Sequence, residues 1–198
     1  MASIESSNIT VGQYQLLNEI DEDLSLMEQN IYAVAAIKDI TYDEASRIKV
    51  SEFSQMVNEI SGIEFKKLES KRINNTIYLN NQEYHIEHNP QKLTSGQLLD
   101  IINIRSKHQG EAISVMDQLI SALSKPKGKE YGDDNLTLME RAKYCRDVKV
   151  QDIWNVFVFF WNLWNGYLSV SEASLQRWME NSLKTARQIL DKDGDYSA

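Results

Sequence analysis

The sequence predicts a mainly α protein: a helical domain with one inserted β-hairpin at about residues 75–87. Helix-start signals recur along the chain, apolar residues recur at helical spacing after them, and one segment changes to strand-like composition around a two-asparagine turn. With 198 residues, 42% of them hydrophobic, and only 2 prolines and 8 glycines, the chain is suited to a packed core.

The predicted helix starts share one pattern, in which Ser or Thr is followed three residues later by Glu or Gln. The cap hydroxyl accepts from an N–H of the first turn, and the later side chain returns to the N–H of the cap. The pairs are Thr10–Gln13, Thr41–Glu44, Thr94–Gln97, Thr137–Glu140 and Ser169–Glu172. The predicted helices cover about 11–19, 22–38, 42–48, 52–60, 95–106, 109–123, 138–146, 151–167 and 170–191. The near twins ITVGQY and LTSGQL are two such starts, because the similarity ends there.

Between these helices, residues 76–79 and 83–86 are rich in β-branched and aromatic side chains and flank Asn80-Asn81. Asparagine tolerates the left-handed backbone that a two-residue hairpin turn requires. The segment 124–135 is predicted to be a loop. We expect a single mainly helical unit over residues 1–198; the alternative separates an N-terminal helical part, 1–70, from a hairpin plus helical core, 71–198.

Charge and length disfavour several functions. The net charge of −8 and pI of about 5.0 disfavour a general nucleic-acid binder, which needs a positive surface. The strongly apolar run 153–168 has 16 residues and three asparagines, whereas a bilayer span needs about 20 apolar residues, so no membrane span is predicted. A single cysteine excludes an internal disulfide framework and fits a reducing compartment.

No residue pattern predicts catalysis. His85 and His88 lie three apart on a predicted strand and point to opposite faces, which disfavours a shared metal. Cys145 lacks a motif that supplies a base, and residues 191–195, DKDGD, lack the spacing of a calcium loop. We therefore predict no catalytic, metal or cofactor-binding residues, no cofactor and no small-molecule substrate. An enzyme built around Cys145 and a histidine is the least favoured alternative.

Protein contacts are the favoured activity. Lysines 125, 127 and 129 form the densest basic cluster, either a solvated loop or a contact for an acidic partner or nucleic-acid backbone. The helix over 151–167 is aromatic on nearly all sides, which indicates a core helix, or one that is part core and part interface. The candidate partner-interface residues are Tyr78, Tyr84, Lys125, Lys127, Lys129, Trp154, Trp161 and Trp164.

The order of TIYLNNQEYHI, LTSGQLLDI, SVMDQLISALSKPKGKEY and VFVFFW, over residues 75–165, resembles small virion or tail-assembly proteins of large tailed bacteriophages, including crAss-like phages. The matching positions are Tyr84, Thr94, Gly96, Gln97, Pro126, Tyr131, Phe159 and Phe160, and the resemblance implies that they are fold markers. It also implies a non-enzymatic structural or morphogenesis protein of the head–tail or tail region, assembled in the host cytoplasm and located in the virion. Its partners would be other phage structural proteins or further copies of itself. The alternatives are a tail assembly chaperone not retained in the virion and a cellular helical adaptor protein.

Overall fold

A computed structural model describes residues 8–63, 75–108 and 112–161. The chain divides into two compact units, residues 1–159 and 160–198, and the described part of the second consists of Phe160 and Trp161. The described helices are α1 (Val11–Asn18), α2 (Leu26–Lys38), α3 (Tyr42–Ser46), α4 (Val50–Ser61), α5 (Ser95–Lys107), α6 (Met116–Leu123), α7 (Leu138–Cys145) and α8 (residues 150–161). Three strands, β1 (Thr76–Leu79), β2 (Gln82–Ile86) and β3 (Ser124–Pro126), form one small antiparallel sheet. The predicted fold class, mainly α with an inserted hairpin, is confirmed; the expected domain arrangement stays a prediction.

Four of the predicted helix starts are capping boxes. The hydroxyl of each cap accepts from the N–H three residues later at 3.2–3.3 Å, and the Glu or Gln side chain returns to the N–H of the cap. These caps are Thr10, Thr41, Thr94 and Thr137. The fifth predicted pair, Ser169–Glu172, and the predicted helix over 170–191 lie outside the described residues.

A further capping box, between Ser25 and Glu28, corrects the predicted start of the second helix from about residue 22 to Leu26. The Asp21 carboxylate accepts from the N–H of Asp23 at 2.9 Å, which makes a side-chain turn in place of a helical one. The chain therefore enters α2 only after this turn.

The sheet contains the predicted hairpin and one strand that was not predicted. Asn80 and Asn81 have positive φ angles of 48° and 61°, as a two-residue hairpin turn requires. The prediction of a loop over 124–135 is wrong for its first three residues, because they pair with β2 as β3. The Glu87 N–H also donates to the carbonyl of residue 123 at 2.9 Å, so the end of α6 leads directly into this pairing.

The predicted helix over 109–123 is shorter than expected. A 3₁₀ turn, Ile113–Val115, comes before α6, which begins at Met116, and residues 109–111 lie outside the described part. The predicted helices over 11–19, 42–48, 52–60, 95–106 and 138–146 agree with the described ones to within a few residues, as is normal for helix ends. The predicted helix over 151–167 is described as far as residue 161, and its predicted end lies outside the described residues.

The N-terminal segment pairs with the chain just before α8. The Val11 N–H donates to the Val148 carbonyl at 2.8 Å, and the Val150 N–H donates to the Ile9 carbonyl at 2.9 Å. Gly12 belongs to the same contact, since a Cβ there would lie 3.2 Å from the Cβ of Arg146. This terminal pairing joins the start of α1 to the start of α8.

Buried apolar side chains occur throughout the described part of the first unit. The sheet, α5, α6 and α8 contribute the fully buried residues Leu79, Tyr84, Ile86, Ile101, Met116, Ile120, Leu123 and Ile153. One hydrophobic cluster joins α2, α3 and α4 through Ile31, Val34, Ala35, Ala45 and Phe53. Helix α1 forms hydrogen bonds with both α2 and α6. The Gln13 amide donates to the Ile37 carbonyl at 2.9 Å, and the Gln15 amide donates to the Asp117 carboxylate at 3.0 Å.

Candidate protein-contact surfaces

The outer face of the sheet carries Tyr78, one of the predicted contact residues. Side chains alternate across the strands, so Ile77 and Leu79 are buried while Tyr78 is 67% exposed. Tyr78 lies opposite Glu83 in the register, and both Glu83 carboxylate oxygens accept from the Lys127 ammonium, at 2.8 and 2.9 Å. This hydrogen bond raises the pKa of Lys127. The sheet therefore presents an exposed tyrosine beside an ion pair, which brings two predicted contact residues onto one surface.

Tyr84, by contrast, lies in the core and has no exposed surface for a partner. Its hydroxyl donates to Asp134 at 2.8 Å, and Asp134 also accepts from the Arg141 guanidinium at 2.7 Å. Burial, and then the hydrogen bond to Asp134, raise the pKa of the Tyr84 hydroxyl. The physical reason for its position is the strand alternation, which points Tyr84 inward while its neighbours in β2 point outward.

The basic cluster is not uniformly positive. Lys125 is partly buried, with its ammonium 3.8 Å from the Glu130 carboxylate, and Lys127 is paired with Glu83. Lys129 is exposed. Two carboxylates thus lie beside the three lysines, and their negative charge reduces the positive electrostatic potential available to attract an acidic partner.

Trp154 is the predicted tryptophan that lies in the first compact unit. Trp154 is partly buried and packs edge-to-face on Tyr14 with ring centroids 5.6 Å apart, and its ring centroid lies 6.1 Å from that of Phe157. Trp154 thus joins α8 to α1. Trp161 lies at the start of the second unit, and Trp164 lies outside the described residues.

A surface that the sequence analysis missed lies between α2, α3 and α4. This α2–α4 cleft has a volume of about 380 Å³. Most of its lining side chains are apolar (Met27, Ile31, Ala45, Ile48, Val50, Phe53 and Val57), and the others are the uncharged Asn30, Ser46, Ser54 and Asn58. Two apolar lining residues face the solvent, Met27 at 56% and Val50 at 79% exposure, and the neighbouring Leu26 is 74% exposed. The cleft is therefore an open apolar surface.

Incomplete burial of α4 explains why the cleft exists. The sequence predicts that Phe53, Met56, Val57 and Ile60 face inward, but only Phe53 among them is fully buried. The other three are partly buried against the α2–α4 core. The signal that could have revealed the cleft is the pair of apolar residues, Leu26 and Met27, placed immediately after a helix cap, where the first turn is exposed.

The chain around the α2–α4 cleft is strongly acidic. Residues 8–63 contain ten acidic and three basic side chains, whereas the described residues from 75 to 161 contain ten of each. Hydrogen bonds within the capping boxes, from Ser25 to Glu28 and from the Thr41 backbone to Glu44, lower the pKa of both glutamates. These carboxylates therefore remain charged at neutral and mildly acidic pH.

The thiol that was considered as a catalytic nucleophile lies in the interior of the protein. Cys145 is fully buried, and burial, with the nearby Asp117 charge, raises the pKa of its thiol, which keeps it protonated at neutral pH. Among the described residues, no group of three or more His, Cys, Asp or Glu side chains is arranged to hold a metal ion. Within the same residues, no helix combines the length and apolar character that crossing a membrane requires.

Comparison with protein-family models, curated proteins and solved structures finds no match.

Proposed function

We propose that this protein is a non-enzymatic bacteriophage structural or morphogenesis protein that acts through protein–protein contacts in the head–tail or tail region, as a ring, cargo or tail component. The observation that carries the proposal is the α2–α4 cleft, with Leu26, Met27 and Val50 exposed at its edge. Contiguous exposed apolar surface marks sites of protein interaction. The resemblance over residues 75–165 supports the phage context and a location in the virion.

The position of β1 supports the same role. Among the described strands β1 lies at the edge of the sheet, with β2 as its neighbour. An edge strand can accept a strand from another chain, and the exposed Tyr78 gives such a contact an aromatic anchor. Other phage structural proteins, or further copies of this chain, are the partners that fit this proposal.

The bonds among buried and partly buried polar side chains favour a structural role over catalysis. Tyr84, Asp134 and Arg141 bond to one another, and the Tyr131 hydroxyl donates to Asp100. These groups have perturbed surroundings of the kind that also occurs in active sites. Here, however, the first set of bonds links the sheet to α7, and the Tyr131 bond links the loop that precedes α7 to α5. These contacts therefore stabilise the packing of the elements.

Purified phage particles provide the test. In cells infected by a phage that encodes this chain, we expect quantitative mass spectrometry to find it at a fixed copy number per gradient-purified particle. A large discrete oligomer of the purified chain in light scattering would add support for a ring. Presence in assembly intermediates but absence from finished particles would favour the alternative, a tail assembly chaperone. The proposal would be contradicted if the chain were absent from particles and assembly intermediates in the wild-type infection and if deletion of its gene left the particle yield normal. Such a result would favour an adaptor role in the cell.

A further inference from the structure

We propose that the α2–α4 cleft binds an amphipathic helix of a partner protein, with basic residues flanking the apolar face of that helix. This inference rests on the proposed function as a contact protein and specifies the class of partner. The floor of the cleft is already packed, since Ile31 is 7%, Ala45 1% and Phe53 7% exposed. The apolar residues at its edge, Leu26, Met27 and Val50, are by contrast exposed to solvent. The cleft therefore provides a firm apolar site for a few large side chains.

The backbone around the cleft favours a helix as the occupant. A strand partner needs unpaired N–H and C=O groups along an edge, but most of the lining residues belong to α2, α3 and α4, whose backbone groups are bonded within the helices. An amphipathic helix instead inserts side chains from one face into an apolar groove. The lining asparagines and serines then supply polar groups around the contact, as the rim of a protein interface does.

The charges near the cleft favour a basic partner. Four glutamates (Glu28, Glu44, Glu52 and Glu59) and two basic residues (Arg47 and Lys49) are direct chain neighbours of lining residues. The wider segment 8–63 has a net charge of −7. Charges within roughly 8 Å of a bound helix act on it at physiological salt. Lysine or arginine beside the apolar face would meet this acidic surface, whereas glutamate would be repelled.

Synthetic peptides test the inference on the full chain. The probes are fluorescein-labelled helical peptides with Leu, Ile or Phe on one face and lysine and arginine beside it. The matched controls carry glutamate in place of each basic residue, or the same composition scrambled so that no apolar face exists. In fluorescence anisotropy we expect the basic amphipathic peptides to bind about tenfold or more tightly than the acidic ones. Their affinity should also fall as salt rises.

Two substitutions locate the binding site. Met27→Lys places a positive charge at the edge of the cleft and should weaken binding of the basic peptides about tenfold or more. Met139→Lys is its matched control, because Met139 is 55% exposed, Met27 is 56% exposed, and each is the second residue of a helix that begins with a capping box. We expect Met139→Lys to leave the affinity within about twofold. Circular dichroism of both variants checks that they fold.

Any of three results in the peptide assays would overturn the inference: no binding by any basic amphipathic peptide, equal binding of acidic and basic peptides, or equal effects of the two methionine substitutions. A dimer in light scattering that Met27→Lys dissociates would also overturn it, in favour of a second copy as the occupant. Particle composition is measured separately. Failed peptide binding by a chain that is present in particles would therefore remove this inference alone, while its absence from particles and intermediates would contradict the proposed function.

Discussion

Replacing Tyr84 by phenylalanine removes one hydroxyl from the buried network and leaves the ring in place. The hydroxyl donates to Asp134 at 2.8 Å, and the residue is 0% exposed. Hydrogen bonds to charged groups contribute about 1.5–3 kcal/mol. Asp134 keeps its bond to Arg141 in this variant, so the carboxylate does not become unpaired. We therefore expect Tyr84→Phe to lower the free energy of unfolding by about 2 kcal/mol.

Asp134→Ala should be more harmful, because it removes the acceptor of both bonds. The Arg141 side chain is only 3% exposed, so its guanidinium would stay buried without a carboxylate. Breaking a buried ion pair by removing one partner costs about 3–5 kcal/mol. The expected order of destabilisation is thus Asp134→Ala above Tyr84→Phe, with a difference of about 1–3 kcal/mol.

Urea unfolding followed by far-ultraviolet circular dichroism measures these differences. Tyr78→Phe is the matched control, since Tyr78 lies on the adjacent strand with 67% exposure and its change should stay within about 0.5 kcal/mol. The reasoning fails if Tyr84→Phe is as stable as the Tyr78→Phe control. It also fails if Asp134→Ala unfolds at the same urea concentration as Tyr84→Phe.

Three further predictions follow from the caps and the thiol. Thr94→Ala removes the cap of α5 and should lower the free energy of unfolding by about 1 kcal/mol; no change in urea unfolding would show that the capping box adds no stability. The pKa values of Glu28, Glu44 and Glu140 are lowered in the folded chain, so their stabilisation is complete above roughly pH 4.3 and is lost as the pH falls through the lower folded values. The triple Glu→Gln variant keeps the acceptors and should lose less stability in acid; thermal melts with equal acid dependence would refute this. Cys145 should react slowly with a thiol reagent in the folded chain and quickly in urea, and fast labelling of the folded chain would favour an enzyme.

Helix starts could be predicted from the sequence because their cause is local. A capping box needs a cap residue, a side chain three positions later and nothing from the rest of the chain. The pairs at Thr10, Thr41, Thr94 and Thr137 therefore appear where they were expected. The box at Ser25 was missed because the acidic residues before it also suit the first turn of a helix.

The third strand and the α2–α4 cleft could not be predicted in this way because both depend on distant residues. Residues 124–126 have loop-like composition and become a strand only because β2 offers them an edge. Periodicity shows that Met56 and Val57 share a face of α4, but it does not show how much of that face α2 covers. The same limit applies to Tyr84, whose burial depends on the surface that the sheet packs against.

The terminal pairing between residues 9–12 and 146–150 has a consequence for synthesis of the chain. The two partners are about 140 residues apart in sequence. A ribosome adding about 5–20 residues per second needs roughly 7–30 s to make the intervening chain. During that time Ile9 and Val11, which are at most 1% exposed in the finished fold, lack the hydrogen-bond partners that residues 148 and 150 provide. The nascent segment around residues 9–12 is thus a surface that a chaperone can bind until residues 146–150 leave the ribosome.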